Sequence, residues 1–130
     1  MPKFWVAHAS QVSCLKLLSV NRLVSGGFDG KLYVWNLIPI TPASVSNFSG
    51  HSNGTVNCVE KLNNGNVVSG GSDQYLRVWN PSDGSSVASI QAHSSTILSL
   101  KTLNNGYIAS GSASTDNTIK IWTPGSIMIE

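Results

Sequence analysis

Charged side chains are scarce in this sequence: Asp, Glu, Lys and Arg make up 11% of its 130 residues, and the net charge of +2 is spread along the chain. A nucleic-acid-binding domain of this size concentrates Lys and Arg in a stripe, so no nucleic-acid partner is expected. Long apolar runs are missing too. None approaches the roughly 18 residues of a membrane-spanning helix, and the opening "MPKFWVAH" lacks the apolar core of a secretory signal. The expectation is an intracellular chain, cytoplasmic or nuclear, with no membrane partner. Cysteine appears only at Cys14 and Cys58; a disulfide is not expected in a reducing compartment. No Cys-x₂₋₄-Cys pair exists to begin a zinc site, though His51 with Cys58 or His8 with Cys14 invites the thought. No metal and no cofactor are predicted. "SGGS" at 69–72 is followed by no Gly-Lys-Ser/Thr, so it is not a phosphate loop.

Helix-favouring Glu, Lys and Ala are thin, whereas Val, Ile, Thr, Tyr and Trp are frequent. Ser, Asn and Gly, the residues of turns, fill the space that charge leaves. With 41% apolar residues, the composition is that of one globular, all-β domain.

An internal period organises the chain. "SGGFDGKLYVWN" at 25–36 returns as "SGGSDQYLRVWN" at 69–80 and again, stretched, as "SGSASTDNTIKIWT" at 110–123. Trp35, Trp79 and Trp122 are spaced by 44 and 43 residues, Asp29, Asp73 and Asp116 likewise, and His8, His51 and His93 by 43 and 42. Three residue types keeping one period exclude coincidence. Within the second unit, "TVNCVEKL", "NVVSGG", "YLRVW" and "SVASI" read as strands joined by "NNG", "SDQ" and "NPSDG". Asn64-Gly65 and Asn105-Gly106 predict hairpins in which both turn residues take positive φ. Each unit therefore predicts a small four-stranded antiparallel sheet, apolar on both faces and in need of stacked neighbours. Cys14, Cys58 and Ser99 share one position in "VSCLKL", "VNCVEK" and "ILSLKT", where a small side chain packs.

The period, the pairs Ala7-His8, Gly50-His51 and Ala92-His93, and the Trp followed by a polar residue resemble the WD40 repeats of β-propellers. The Trp-Asp dipeptide itself has drifted to "WN", "WN" and "WT". The resemblance implies three propeller blades in an incomplete, half ring: blade 1 at about 8–49, blade 2 at about 51–91 and blade 3 at about 93–130. It also implies a hydrogen-bonded His–Ser–Asp–Trp set per blade: His8, Ser25, Asp29 and Trp35; His51, Ser69, Asp73 and Trp79; His93, Ser110, Asp116 and Trp122. In "SASTD" the serine stands six residues before the aspartate instead of four, so Ser112 is an alternative to Ser110. Trp5, Phe48 and Ile90 each precede a repeat His by three. Residues 1–7 then read as an extra outer strand, and "SIMIE" at 126–130 as the outer strand of blade 3.

Ser, His and Asp side by side permit a serine-type hydrolase reading, but an active site is built once and this trio is built three times. The leading expectation is a non-catalytic scaffold presenting propeller loops to a protein or peptide partner. Candidate contacts are the turn residues before each Asp, namely Phe28, Ser72 and Thr115, with Gln11, Asn53 and Ser95 on the preceding loops. Tyr33, Arg77 and Lys120, two before each Trp, are expected to cover the sheet with their stems and reach water with their tips. Propellers close with roughly four to eight blades. Three leave open ends, so the alternatives are a piece of a longer propeller, further blades from another chain, or a second copy closing a six-bladed ring as a homodimer.

Overall fold

The computed structural model describes residues 4–38, 40–51 and 54–123, with backbone only at 40–43. Its elements are strands throughout. β1 (Val12–Ser19), β2 (Arg22–Gly27), β3 (Leu32–Leu37) and β4 (Ile40–Phe48) form one sheet in chain order. β5 (Val56–Lys61), β6 (Val67–Gly71), β7 (Tyr75–Trp79) and β8 (Ser86–Gln91) form the second in the same order. β9 (Ile97–Thr102), β10 (Ile108–Ser112) and β11 (Ile119–Trp122) form the third. All pairings are antiparallel. The stretch expected as the fourth strand of blade 3, 126–130, lies outside the described residues. Residues 4–7 have no ladder partner among them, because a strand is defined by a neighbour and none of the three sheets offers one.

The hairpins differ from expectation in one respect. Gly65 and Gly106 have φ of 90° and 85°, but the asparagines before them do not share it. Gly65 N–H donates to the Leu62 carbonyl and Leu62 N–H to that of Asn66, while the Asn64 side chain accepts from Asn66 N–H. Asparagine here steers the turn through its side chain, and one left-handed residue suffices. A second recurrent turn follows each repeat Asp. Gly30, Gln74 and Asn117 take φ of 77°, 74° and 58°, so the left-handed position is kept although only one of the three is glycine.

Each sheet buries a face against its neighbour. Val24, Leu32, Val34 and Phe48 of sheet one pack on Val56, Val59, Val67 and Trp79 of sheet two. Cys58, Val68, Leu76 and Val78 pack in turn on Ile97 and Ile108 of sheet three. Thus the face carrying each repeat Trp, here called the front, meets the back of the preceding sheet. The strand pairing slips at Val12/Cys14, at Val56/Cys58 and between the partners of Ile97 and Ser99. Such a bulge turns one residue to the opposite face, which sends Val56 and Ile97 forward into the neighbouring sheet, where both are fully buried.

Candidate functional site

The repeated histidines and the repeated serines are all buried, none more than 7% exposed. In the first sheet His8 Nδ1 lies 3.0 Å from Asp29 Oδ1 and Nε2 lies 2.8 Å from Ser25 Oγ. Trp35 Nε1–H donates to the same hydroxyl at 2.9 Å. With Nδ1–H pointed at the carboxylate, Nε2 accepts the serine proton and the serine oxygen is left to accept the indole. Sequence distance explains why the set matters. His8 arrives from the loop before β1, Ser25 sits on β2, Asp29 in the β2–β3 turn and Trp35 on β3, so one chain of bonds ties three elements.

The third sheet repeats this: His93 Nδ1 to Asp116 Oδ1 at 3.1 Å, His93 Nε2 to Ser110 Oγ at 2.7 Å, and Trp122 Nε1 to Ser110 Oγ at 2.8 Å. Ser110, not Ser112, occupies the serine position. The Ser112 hydroxyl donates to the Thr96 carbonyl at 2.9 Å instead. The two inserted residues are taken up in the turn, where Ala113 O receives the N–H groups of Asp116 and Asn117.

The second sheet departs. His51 reaches Asp73 Oδ2 at 2.9 Å and Ser69 Oγ at 2.7 Å, but Trp79 Nε1 is buried with no acceptor among the described residues. Phe48 stacks on the Trp79 ring at 5.3 Å with 5° between planes. That face-to-face contact fixes the indole plane, and the N–H then misses Ser69. The set expected as four members is linked as three here.

Arg77 and Lys120 also differ from the sequence reading. Arg77 Nε bonds Asp73 Oδ2 at 3.0 Å with its guanidinium 4.6 Å over Tyr75, and Lys120 Nζ donates to the Ala92 carbonyl at 2.7 Å. Both tips bond the loop, although Lys120 itself stays exposed. Tyr33 meets His8 edge-on at 5.0 Å.

The carboxylates respond to these bonds. Burial by itself pushes the Asp73 carboxyl up, but the bond and charge of His51, the Tyr75 N–H and Arg77 outweigh it, and the net shift is down. Asp29 behaves alike: burial opposes, while His8 and the N–H groups of Ala9 and Lys31 prevail. The Thr118 hydroxyl, then Ser94 N–H, hold Asp116 well below the ordinary range. A carboxyl depressed in the fold contributes stability that is present above its unfolded value and lost as pH falls through the folded one. Stability is therefore expected to be flat above about pH 5 and to decline between about pH 4 and pH 2. Thermal melts across that range check this, with Asp73→Asn expected to reduce the slope. The cysteines sit at the opposite extreme. Burial pushes Cys58 up to about 12 and raises Cys14 as well, which leaves both as thiols at neutral pH.

Chemically, Asp–His–Ser is the order of a nucleophilic triad, but the hydroxyls of Ser25, Ser69 and Ser110 belong to residues 2%, 0% and 1% exposed. Two of the three already accept an indole N–H. The groups at the surface are the turns beside them. Phe28 is 41% exposed, and its N–H donates to the Gln11 carbonyl at 2.8 Å. Ser72 and Thr115 are exposed, Gln11 is exposed and Ser95 half-buried. Ser72 Oγ accepts from Thr55 N–H at 2.8 Å. Asn53 lies outside the described residues. Trp5, which the sequence places at the position equivalent to Phe48, packs its ring 5.4 Å from Trp35, and its Nε1 is buried without an acceptor among the described residues.

The sequence profile of the family described as "WD domain, G-beta repeat" matches residues 2–36, 42–80 and 84–123. The chain belongs to the WD40 repeat family. Among curated relatives, the ribosome biogenesis protein YTM1 of Candida glabrata is 27% identical over 121 residues. That alignment takes in 93% of this chain and 21% of YTM1, so the chain spans about a fifth of that relative's length. Among solved structures, the WD40 β-propeller domain of Doa1 superimposes with a TM-score of 0.81 at 28% identity, covering 90% of this chain and 38% of that one. The computationally designed Ika4 protein gives a TM-score of 0.74 at 34% identity over 88% of this chain and 67% of its own. The three sheets are thus WD40 blades, and they form part of a ring rather than a closed one.

Proposed function

We propose that this chain is a non-catalytic interaction module whose loop face, the side carrying the His and Asp turns, receives a protein or peptide partner, in an intracellular setting. WD40 propellers typically serve as protein-interaction scaffolds, and what is proposed here is the surface. The observation that carries the reading is Phe28: a large aromatic side chain 41% exposed on a turn held on both sides. Its N–H is tied to Gln11, and its neighbour Asp29 is tied to His8, Ala9 N–H and Lys31 N–H. A rigid turn loses little entropy when its aromatic is covered, and preorganised aromatics are the usual anchors of interfaces. Ser72 and Thr115, at equivalent turn positions in the next two blades, extend the surface with small polar groups. The serines beside the histidines support the non-catalytic half of the reading, because a buried, already bonded hydroxyl has no approach for a substrate.

The test is selection of displayed peptides on the wild-type chain, followed by affinity for Phe28→Ala. Loss of one hot-spot aromatic is expected to weaken binding by roughly 30-fold or more, about 2 kcal/mol. The melting temperature should stay within about 2 °C, since the Phe28 ring is not in either core. Peptides that bind Phe28→Ala as well as wild type would remove Phe28 from the site. A second copy of the chain is a different kind of partner, and the open sheet faces rather than the loops would receive it.

A further inference from the structure

The loop face uses up nearly all of its charges. Asp29, Asp73 and Asp116 have side chains only 8%, 11% and 6% exposed, and each carboxylate is filled by donors. Asp29 accepts from His8, Ala9 N–H and Lys31 N–H, and Asp73 from His51, Tyr75 N–H and Arg77. Asp116 accepts from His93, Ser94 N–H and Thr118 N–H. Two of the three cations described on this face are occupied as well, Arg77 by Asp73 and Lys120 by the Ala92 carbonyl. Lys31 is the exception. It is exposed, its backbone N–H and carbonyl are held by the turn, and its ammonium has no bond among the described residues.

Lys31 closes the same turn that carries Phe28. Gly27 N–H donates to the Lys31 carbonyl at 3.2 Å, Gly30 N–H to the Gly27 carbonyl at 3.2 Å, and Phe28 N–H to the Gln11 carbonyl at 2.8 Å. Gly30 presses on the next blade, where a Cβ added to it would collide with the His51 carbonyl oxygen. The turn is thus held by its own blade and by its neighbour, and the two side chains leave a fixed base. Across a tight turn, flanking residues stand roughly 5–8 Å apart at Cβ. Neighbouring or alternate residues of an extended peptide match that spacing at about 3.3 Å per residue. The places of Phe28 and Lys31 are taken by Ser72 and Tyr75 in blade 2 and by Thr115 and Thr118 in blade 3, so the aromatic–cation pair departs from the repeat. All of these lie on loops at strand ends. Ala7-His8 stands before blade 1 as Gly50-His51 stands before blade 2.

We infer that the segment received by the loop face is an acidic peptide, one apolar side chain covering Phe28 and a nearby Asp or Glu carboxylate meeting the Lys31 ammonium. This rests on the loop-face reading above and adds the partner's chemistry to it. Charge complementarity is the argument. The face offers a cation and keeps its described anions buried, so a carboxylate finds an unpaired partner. A Lys or Arg in the same place meets a like charge with no accessible acid to offset it. Covering Phe28 also excludes water beside the turn, which strengthens the ion pair relative to one in bulk solvent. Rim charges govern association rate and choice of partner more than raw affinity. Phe28 holds the peptide and Lys31 selects it.

Peptides selected by display on the wild-type chain test this, each then measured against wild type, Lys31→Glu and Phe28→Ala. The selected sequences are expected to carry Asp or Glu beside an apolar residue or one position away from it. Affinity for such a peptide is expected to fall about tenfold in Lys31→Glu. Its weakening between about 20 and 200 mM salt is expected to be lost in that variant. The same peptide with its acid replaced by Lys is expected to bind Lys31→Glu better than wild type, a swap that a merely structural Lys31 would not produce. Selected peptides rich in Lys or Arg would overturn the inference. So would peptides that Phe28→Ala weakens and Lys31→Glu leaves unchanged, an outcome under which the loop-face reading still stands. Peptides indifferent to both variants would overturn both.

Discussion

Trp79→Ala is expected to destabilise the chain by about 3–5 kcal/mol, the largest single-residue effect in the molecule. Trp79 is fully buried between the first two blades, packed among Val24, Val34, Val56, Val59 and Val67 and stacked on Phe48. Truncation removes a large apolar surface and leaves a cavity that two rigid sheets cannot collapse to fill. At roughly 3–5 °C per kcal/mol for a domain of this size, the melting temperature should drop by about 10–20 °C at fixed protein concentration. Trp79→Phe separates packing from hydrogen bonding. Because Trp79 Nε1 has no acceptor among the described residues, phenylalanine removes a buried orphan along with some volume, and the loss should be no more than about 1–2 kcal/mol. Trp35→Phe should cost relatively more for its size, since it takes a donor away from Ser25.

His51→Ala is expected to cost about 1–3 kcal/mol, seen as a lower denaturation midpoint with an unchanged slope. His51 is wholly buried and joins Asp73 at 2.9 Å to Ser69 at 2.7 Å. Its loss strands a serine hydroxyl in the interior and takes from Asp73 the principal partner that offsets burial. A double-mutant cycle with Ser69→Ala should give a coupling of about 1 kcal/mol or more, because the second change removes a group the first has already orphaned. An additive cycle would mean that the two side chains contribute independently.

Much of this arrangement was legible from spacing. Apolar alternation and the turn residues of the second unit locate β5 to β8 within a residue or two, because a strand's pattern and its hairpin signals are local properties. The 43-residue period picks out residues that end up bonded across 10 to 23 positions of chain, since identical units fold identically. Three things escaped. The asparagine turns use one left-handed residue, a choice between near-equal turn geometries that sequence cannot rank. Trp79 fails to reach Ser69 because a neighbouring blade contributes Phe48, a contact set between units. Arg77 and Lys120 bond Asp73 and the Ala92 carbonyl with their tips, partners that the local pattern does not set.

The amino-acid sequence determined the kind of unit, its number and its internal bolts, because those depend on residues that recur at fixed intervals and meet within one blade. Tertiary structure decided what happens between blades: which face is the front, and that the bulged Val56 and Ile97 pack against Gly26 and Gly70 of the preceding sheet. Junctions are formed by residues from 27 to 44 positions apart, as in Gly70 with Ile97 and Lys16 with Glu60, in separate sheets whose relative placement depends on twist and stacking, and no local pattern encodes that.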